Sequence, residues 1–253
     1  ILIIPFAFAL KSPDKYGYVP LGFKNENLDA TGTASSMELP GLPASRAFKM
    51  PLFYIVWLTM MLIFLPSAFM ANMPTWGVLQ GFDATKAGLL VTYACLVGIF
   101  GTILVGAFNE KFGVKVTTII FLGIGIVGLF FFLTANDNYA LAIAAAALLA
   151  VGYSYMVAMP SILTLTIFGP KEFPKIYGTV AIGGTVAGII AVPGLALLRN
   201  ITRSYNLGFW VMAVLWVVAI FAVLYSIKKG ASAQAEYTAE LVKQQTISAN
   251  TNA

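Results

Sequence analysis

Chemistry in this chain has to come from hydroxyls, amides and one thiol, because the usual catalytic and metal-binding side chains are missing from its apolar stretches. The 253 residues contain no histidine, and Cys95 is the single cysteine. Without His, a Cys pair, a carboxylate pair near a membrane interface or metal-ligand spacing there is no candidate catalytic residue, no metal set and no cofactor to expect. An enzyme acting on membrane lipid therefore lacks its working parts. The polar groups set in apolar sequence include Asn72, Thr92, Tyr93, Thr102, Tyr153, Ser154, Tyr155, Ser161, Thr164, Thr179 and Thr185. Amide and phenol groups of this kind can hydrogen-bond an oxygen-bearing small molecule from an otherwise apolar wall. A plainer use fits as well: Ser and Thr bond to their own helix backbone, and Tyr anchors at interfaces. Cys95 reads as a packing residue.

A second pattern with chemical content is Gly106, Ala107, Phe108, Asn109, Glu110, Lys111, Phe112, Gly113 and Lys115, of the form G-x-x-x-[DE]-[RK]-x-G-x-[RK]. Gly106 can admit a neighbouring helix, Gly113 can make a tight reversal, and Glu110 with Lys111 and Lys115 can pair across the end of a helix bundle. Such a charge cluster can hold one conformation shut and release it in another. An ordinary solvated turn between two helices satisfies the same spacing.

These residues need elements to place them, and composition says which. Hydrophobic residues are 59% of the chain and charged residues 10%, against about half and about a quarter in soluble domains. Six stretches reach the roughly 20 apolar residues that a spanning helix needs: 52–78, 87–108, 116–135, 139–168, 176–198 and 207–227. None contains Asp, Glu, Lys or Arg, the residues that usually mark ion pathways and proton relays. The fold class is all-α: a six-helix transmembrane bundle over 51–229. Residues 1–10 are apolar but too short to span. They open on Ile without a basic leader and read as the end of a truncated helix, which implies a missing amino-terminal half.

Charge fixes the expected orientation. Twelve of the fifteen Lys and Arg fall on one side of the bundle, and only Lys86, Arg199 and Arg203 on the other. The richer side is cytoplasmic by the positive-inside rule. A net charge of +5 spread over separate connections is not the basic, aromatic-laced face that nucleic acid requires, so no nucleic-acid partner is expected. Residues 11–50 form a polar linker whose end, 37–53, suits a segment lying at the membrane surface or a plain tether. Lys228 and Lys229 are expected to close the last helix with Gly230 as its cap, leaving 230–253 a disordered cytoplasmic tail. Pro66, Pro74, Pro160 and Pro193 permit kinks, and Gly184 with Gly188 has the small-xxx-small spacing of close helix packing.

The Gly106–Lys115 pattern resembles the motif that the major facilitator superfamily carries after its second and eighth helices. The stretch Phe168, Gly169, Pro170, Lys171, Glu172, Phe173, Pro174, then Ile176, Tyr177 and Gly178, is similar to F-G-x-K-x-F-x-x-I-Y-G between the tenth and eleventh helices of its oxalate/formate antiporter and monocarboxylate porter branch. The segment 47–57 is similar to the entry of the seventh helix there. The resemblance covers nearly the whole chain and makes it the carboxy-terminal half of a twelve-helix fold. It implies that Asn72, Tyr93, Tyr153, Tyr155 and Thr185 line a central cavity, and that Gly106, Glu110, Lys111, Gly113 and Lys115 form the gating turn. Two departures stand out. Gly101 and Thr102 occupy the positions where the branch has glycine then arginine, and a basic residue of the eleventh helix would fall at Gly183 or Gly184.

The expected function is secondary active transport of a small solute, an antiporter or symporter working by alternating access between two six-helix halves. The branch implies an organic anion, a monocarboxylate or dicarboxylate, which both departures disfavour unless the missing half supplies the charge. The expected partners are that solute, the lipid bilayer and the missing half, in a plasma or inner membrane. A six-span structural or sensor subunit without transport keeps the same fold and turn motif.

Overall fold

The computed structural model describes the backbone of residues 41–251 and the side chains of 41–240 and of Lys243. The expectations for 1–10 and for 11–40 of the linker lie outside the described residues. What is described is all-helical: α1 (Ala44–Ala47), α2 (Pro51–Phe64), a 3-10 turn (Leu65–Ser67), α3 (Ala68–Leu79), α4 (Ala84–Ala135), α5 (Tyr139–Phe168), α6 (Phe173–Thr202) and α7 (Asn206–Thr251).

Helix α4 has 52 residues, about 78 Å if straight at 1.5 Å per residue, far more than the roughly 30 Å of a bilayer core. It breaks at Gly113, where φ 77° and ψ 169° lie in a region open almost only to glycine. The two arms, 84–112 and 114–135, are two of the expected spans. Helices α2 and α3 with the turn between them make one more. The described residues thus form a bundle of six spans, with α5 coinciding with the expected 139–168. Gly169, φ 81° and ψ 178°, ends α5 in the same glycine-only conformation.

The first span is interrupted because Pro66 has no N–H to give the helix ladder. Neighbours take up the backbone at the break. The Trp216 Nε1–H donates to the Ile63 carbonyl at 3.1 Å and the Tyr153 hydroxyl to the Pro66 carbonyl at 2.9 Å. Proline is tolerated in a spanning helix where adjacent helices repair the ladder in this way. Trp216 is fully buried in a slot between Gly125 and Gly152, where a Cβ on either would come within 3 Å of the indole ring. Towards the end of the bundle that carries Asp83, Phe69, Trp76, Phe132 and Phe209 pack edge to face or stacked, with Phe69 centred 4.8 Å from Phe132 and 4.7 Å from Phe209. Large apolar residues such as Ile103, Phe100, Ile189 and Phe221 are two-thirds exposed, as spans facing lipid or further helices require.

Two expectations change here. Gly230 does not cap the last helix: α7 runs through it to Thr251, so 230–251 is helix and not a disordered tail. The reason is packing. A Cβ on Gly230 would stand 2.9 Å from the Ile167 Cγ2 and 3.1 Å from its Cα, so glycine lets α7 pass against the end of α5. The close-packing pair on α6 is also shifted. Gly183 lies against the Trp57 carbonyl and Gly184 against the Phe64 ring, whereas Gly188 has open space.

Candidate functional site

The first arm of α4, α3 and α5 come together where Gly98, Gly101 and Ser154 let two of them cross. A Cβ on Gly101 would collide with the Ser154 hydroxyl. That hydroxyl donates to the carbonyls of Gly98, at 3.1 Å, and Ala150, at 2.9 Å. The Thr102 hydroxyl donates to the Gly98 carbonyl too, at 2.9 Å. Beside the crossing opens an apolar cleft of about 250 Å³ lined by Met70, Cys95, Gly98, Thr102, Tyr153 and Val157, among others. Among the described residues no charged side chain lines it. Its volume is below the roughly 300–1,000 Å³ of a complete small-molecule site, and it is open on one side.

The five cavity candidates separate by position. Tyr153 lines the cleft, its ring centred 5.9 Å from Trp216 and its hydroxyl held by the Pro66 carbonyl. Tyr155 does not. It is fully buried, its hydroxyl 2.8 Å from the Thr118 hydroxyl in the packed seam between the second arm of α4 and α5. Two residues on a helix are about 200° apart, so Tyr153 and Tyr155 cannot share a face, and Tyr155 is a core residue. Asn72, half-buried on α3, donates from its amide to the Ala68 carbonyl at 2.8 Å and accepts from the Tyr205 hydroxyl at 3.5 Å. Tyr93 is half-buried outside the cleft. Thr185 is exposed on α6, its hydroxyl turned to the Ala181 carbonyl of its own helix.

Cys95 reverses its expectation: it is exposed and lines the cleft rather than packing the core. Nothing in its flanking sequence signals this, since the neighbours on both faces are apolar. Thr102, which the resemblance sets at an arginine position, also lines the cleft. Gly183 and Gly184 behave differently. A Cβ on Gly183 would be 2.7 Å from the Trp57 carbonyl oxygen, so no basic side chain fits there without prising α2 from α6.

Within the motif, Gly113 makes the break in α4, while a Cβ on Gly106 would meet nothing within 4 Å. Glu110, Lys111 and Lys115 are exposed, and none forms an ion pair among the described residues. The Lys111 ammonium sits 5.3 Å over the Phe112 ring. The Asn109 side-chain oxygen is buried without a partner among the described residues.

The same end of the bundle is stitched by contacts that sequence reading missed. The Leu42 amide donates to the Phe168 carbonyl at 2.8 Å. The Gln234 amide donates to the Ile167 and Thr166 carbonyls at 2.9 and 3.2 Å, satisfying the last carbonyls of α5. Arg46 pairs with Glu240 and lies 5.1 Å over the Tyr237 ring. That hydrogen bond raises the Arg46 pKa and lowers that of Glu240. At the opposite end Asp83 caps α4 by accepting from the Thr85 and Lys86 amides, and the Thr85 bond is the main reason its carboxyl titrates below the usual value.

A family model described as Major Facilitator Superfamily matches residues 1–167 and again 56–248 of the chain. Comparison with curated proteins returns no match.

Proposed function

The chain belongs to the Major Facilitator Superfamily, a family of transporters of small solutes across membranes, and on that premise we propose that its cleft forms this chain's wall of a solute path worked by alternating access. The observation that supports this is the cleft itself: apolar, open on one side, too small to enclose a solute alone, and placed where three spans meet beside the Pro66 break. A second set of helices would close it from the open side, the arrangement in which two bundles rock about a site near the bilayer midplane.

In this reading Tyr153 supplies a rigid wall, since its hydroxyl is committed to the Pro66 backbone. Thr102 presents the acceptor pairs of a hydroxyl whose hydrogen is already given to Gly98. Asn72, Tyr93 and Thr185 contribute elsewhere along the path. The wall carries no charge, so an organic anion finds its counter-charge outside it. The basic-rich end, with residues 41–50 and the end of α7, faces the cytoplasm of a plasma or inner membrane. The exposed turn from Glu110 to Lys115 is free to pair with the other half in one conformation and part in the next.

The test is uptake by the intact protein in vesicles against a panel of small carboxylates, with any cysteine outside this sequence replaced so that Cys95 is the only thiol. The transported solute should slow modification of Cys95 by a charged methanethiosulfonate at least several-fold. Uptake without any such protection would remove the cleft from the path, and no uptake of any member would count against the organic-anion class.

A further inference from the structure

The opposite end of the bundle holds a second cavity, of a different character. About 340 Å³ in volume, it lies between the end of α3 and the α6–α7 turn, and its lining is Leu79 with Gln80, Arg199, Asn200, Arg203, Ser204 and Tyr205. Every polar residue in that set can donate a hydrogen bond, and none is acidic. Neither arginine forms an ion pair among the described residues, in contrast to Arg46. The Arg199 guanidinium sits 5.8 Å over the Tyr205 ring. The Tyr205 hydroxyl in turn reaches the Asn72 side-chain oxygen, so the floor of the cavity touches a polar residue of the first span.

Two cations here run against the expected charge bias of the sequence, in which only Lys86, Arg199 and Arg203 of the fifteen basic residues are assigned to this side. Compensating a helix C-terminus could account for Arg199, which lies in the last turn of α6. It does not account for Arg203. That residue follows the helix in the left-handed conformation, φ 54° and ψ 19°, which L-residues other than Asn and Asp rarely adopt. The arrangement sets two guanidinium forks at one cavity with the amides of Gln80 and Asn200 and the Ser204 hydroxyl, whose oxygen accepts from the Asn206 amide at 3.2 Å and whose hydrogen remains to donate. Guanidinium pairs of this kind match the planar, bidentate geometry of carboxylate and phosphate.

We propose that this cavity is a binding site for a small aqueous oxyanion, a dicarboxylate or a phosphate, held by Arg199 and Arg203 at the mouth of the solute path. Its role in transport rests on the reading above; the binding does not. It supplies the counter-charge that the cleft lacks. As a rim site it acts mainly on capture, raising the local anion concentration and the on-rate in a salt-dependent way.

Calorimetry on the intact protein in phosphatidylcholine nanodiscs at low salt, with malonate and inorganic phosphate as probes, decides the matter. Binding is expected, weakened at least fivefold by R199Q or R203Q and abolished by the pair, and unchanged by R46Q. Asn200→Asp, which keeps the shape and adds a negative charge, should weaken binding as strongly and keeps the test open if an arginine variant does not fold. Wild-type affinity in the double variant and in N200D would overturn the site. So would malonate and phosphate failing to bind, and if phosphatidylglycerol in a parallel set of mixed phosphatidylcholine–phosphatidylglycerol nanodiscs is then enriched around the protein in an Arg199-dependent manner, the ligand is a lipid headgroup. Uptake measured separately keeps the two readings apart. A wild-type protein that binds malonate but carries no solute sinks the transport reading alone, and transport with unchanged KM in the double variant sinks the capture role alone.

Discussion

The two ends of the bundle treat their charged groups in opposite ways. At the Gly113 end, Arg46 is committed to partners within the protein: it pairs with Glu240 and covers Tyr237, beside hydrogen bonds that join Leu42 to the end of α5 through the backbone and α7 to the same end through the Gln234 side chain. At the other end Arg199 and Arg203 have no acidic partner among the described residues and share a cavity with neutral donors. A paired arginine ties segments of chain together, whereas an unpaired one facing a polar cavity is free to recruit. Composition alone would have graded both ends as surface charge.

The largest effect is expected where the stitched end depends on close approach. Gly230→Leu places a branched side chain where even a Cβ would lie 3.1 Å from the Ile167 Cα. Backbone cannot yield as a flexible side chain does, so α7 must lift from α5, at a cost of about 1–3 kcal/mol for overpacking. Hydrogen exchange should then rise across 230–240, including the region of Gln234 and Glu240, while the amides of 199–206 keep their wild-type rates. Equal acceleration at both ends would show that the stitched end does not fold as a separate layer.

A smaller and more local effect separates two glycines of one motif. Gly113→Ala forces a Cβ into φ 77°, ψ 169°, which costs of order 1–3 kcal/mol. Gly106→Ala meets open space and removes a flexible residue from a helix, so it should stabilise by roughly 0.5–1 kcal/mol. Thermal unfolding in detergent should therefore move in opposite directions for the two. A loss of stability in Gly106→Ala within the intact protein would instead reveal a neighbour that packs on this face.

Sequence carried the six spans, their order and the Gly113 reversal, because long apolar runs and a glycine between charged residues are local signals. It was silent on which polar residue faces what. Tyr153 and Tyr155 are identical in type and two positions apart, yet one lines a cleft and the other is buried against Thr118, a difference set by helix phase against partners far along the chain. Cys95 misled for the same reason. Gly230 misled in a different way: following two lysines it has the look of a helix end, and only the proximity of Ile167 shows that it serves a crossing. The cavity at the α6–α7 turn joins residues near 80 with residues near 200, a separation no local pattern reports.

The smallest predicted effect sharpens the comparison between ends through acid titration. Glu240 titrates below its usual value of 4.5 because of its hydrogen bond with Arg46, and Asp83 below its usual value of 3.8 chiefly because of the Thr85 amide. Each group is held lower in the folded state, so each contribution is complete above the unfolded value and is lost as pH falls through the folded one. Hydrogen exchange at 236–240 should accordingly be flat from pH 7 to 5, after correction for intrinsic rates, and rise below 4.5, with Glu240→Gln removing the step. At the start of α4 the same rise should begin below 3.8 and vanish in Asp83→Asn. Salt distinguishes the two. Both carboxylates are held by hydrogen bonds at contact distance, but only Glu240 faces a partner of full opposite charge, and in an exposed pair salt weakens that attraction more than it weakens a bond to a backbone amide. Raising salt should therefore flatten the Glu240 step and leave most of the Asp83 step, and equal flattening at both would mean that Arg46 holds Glu240 no more specifically than a helix end holds its cap.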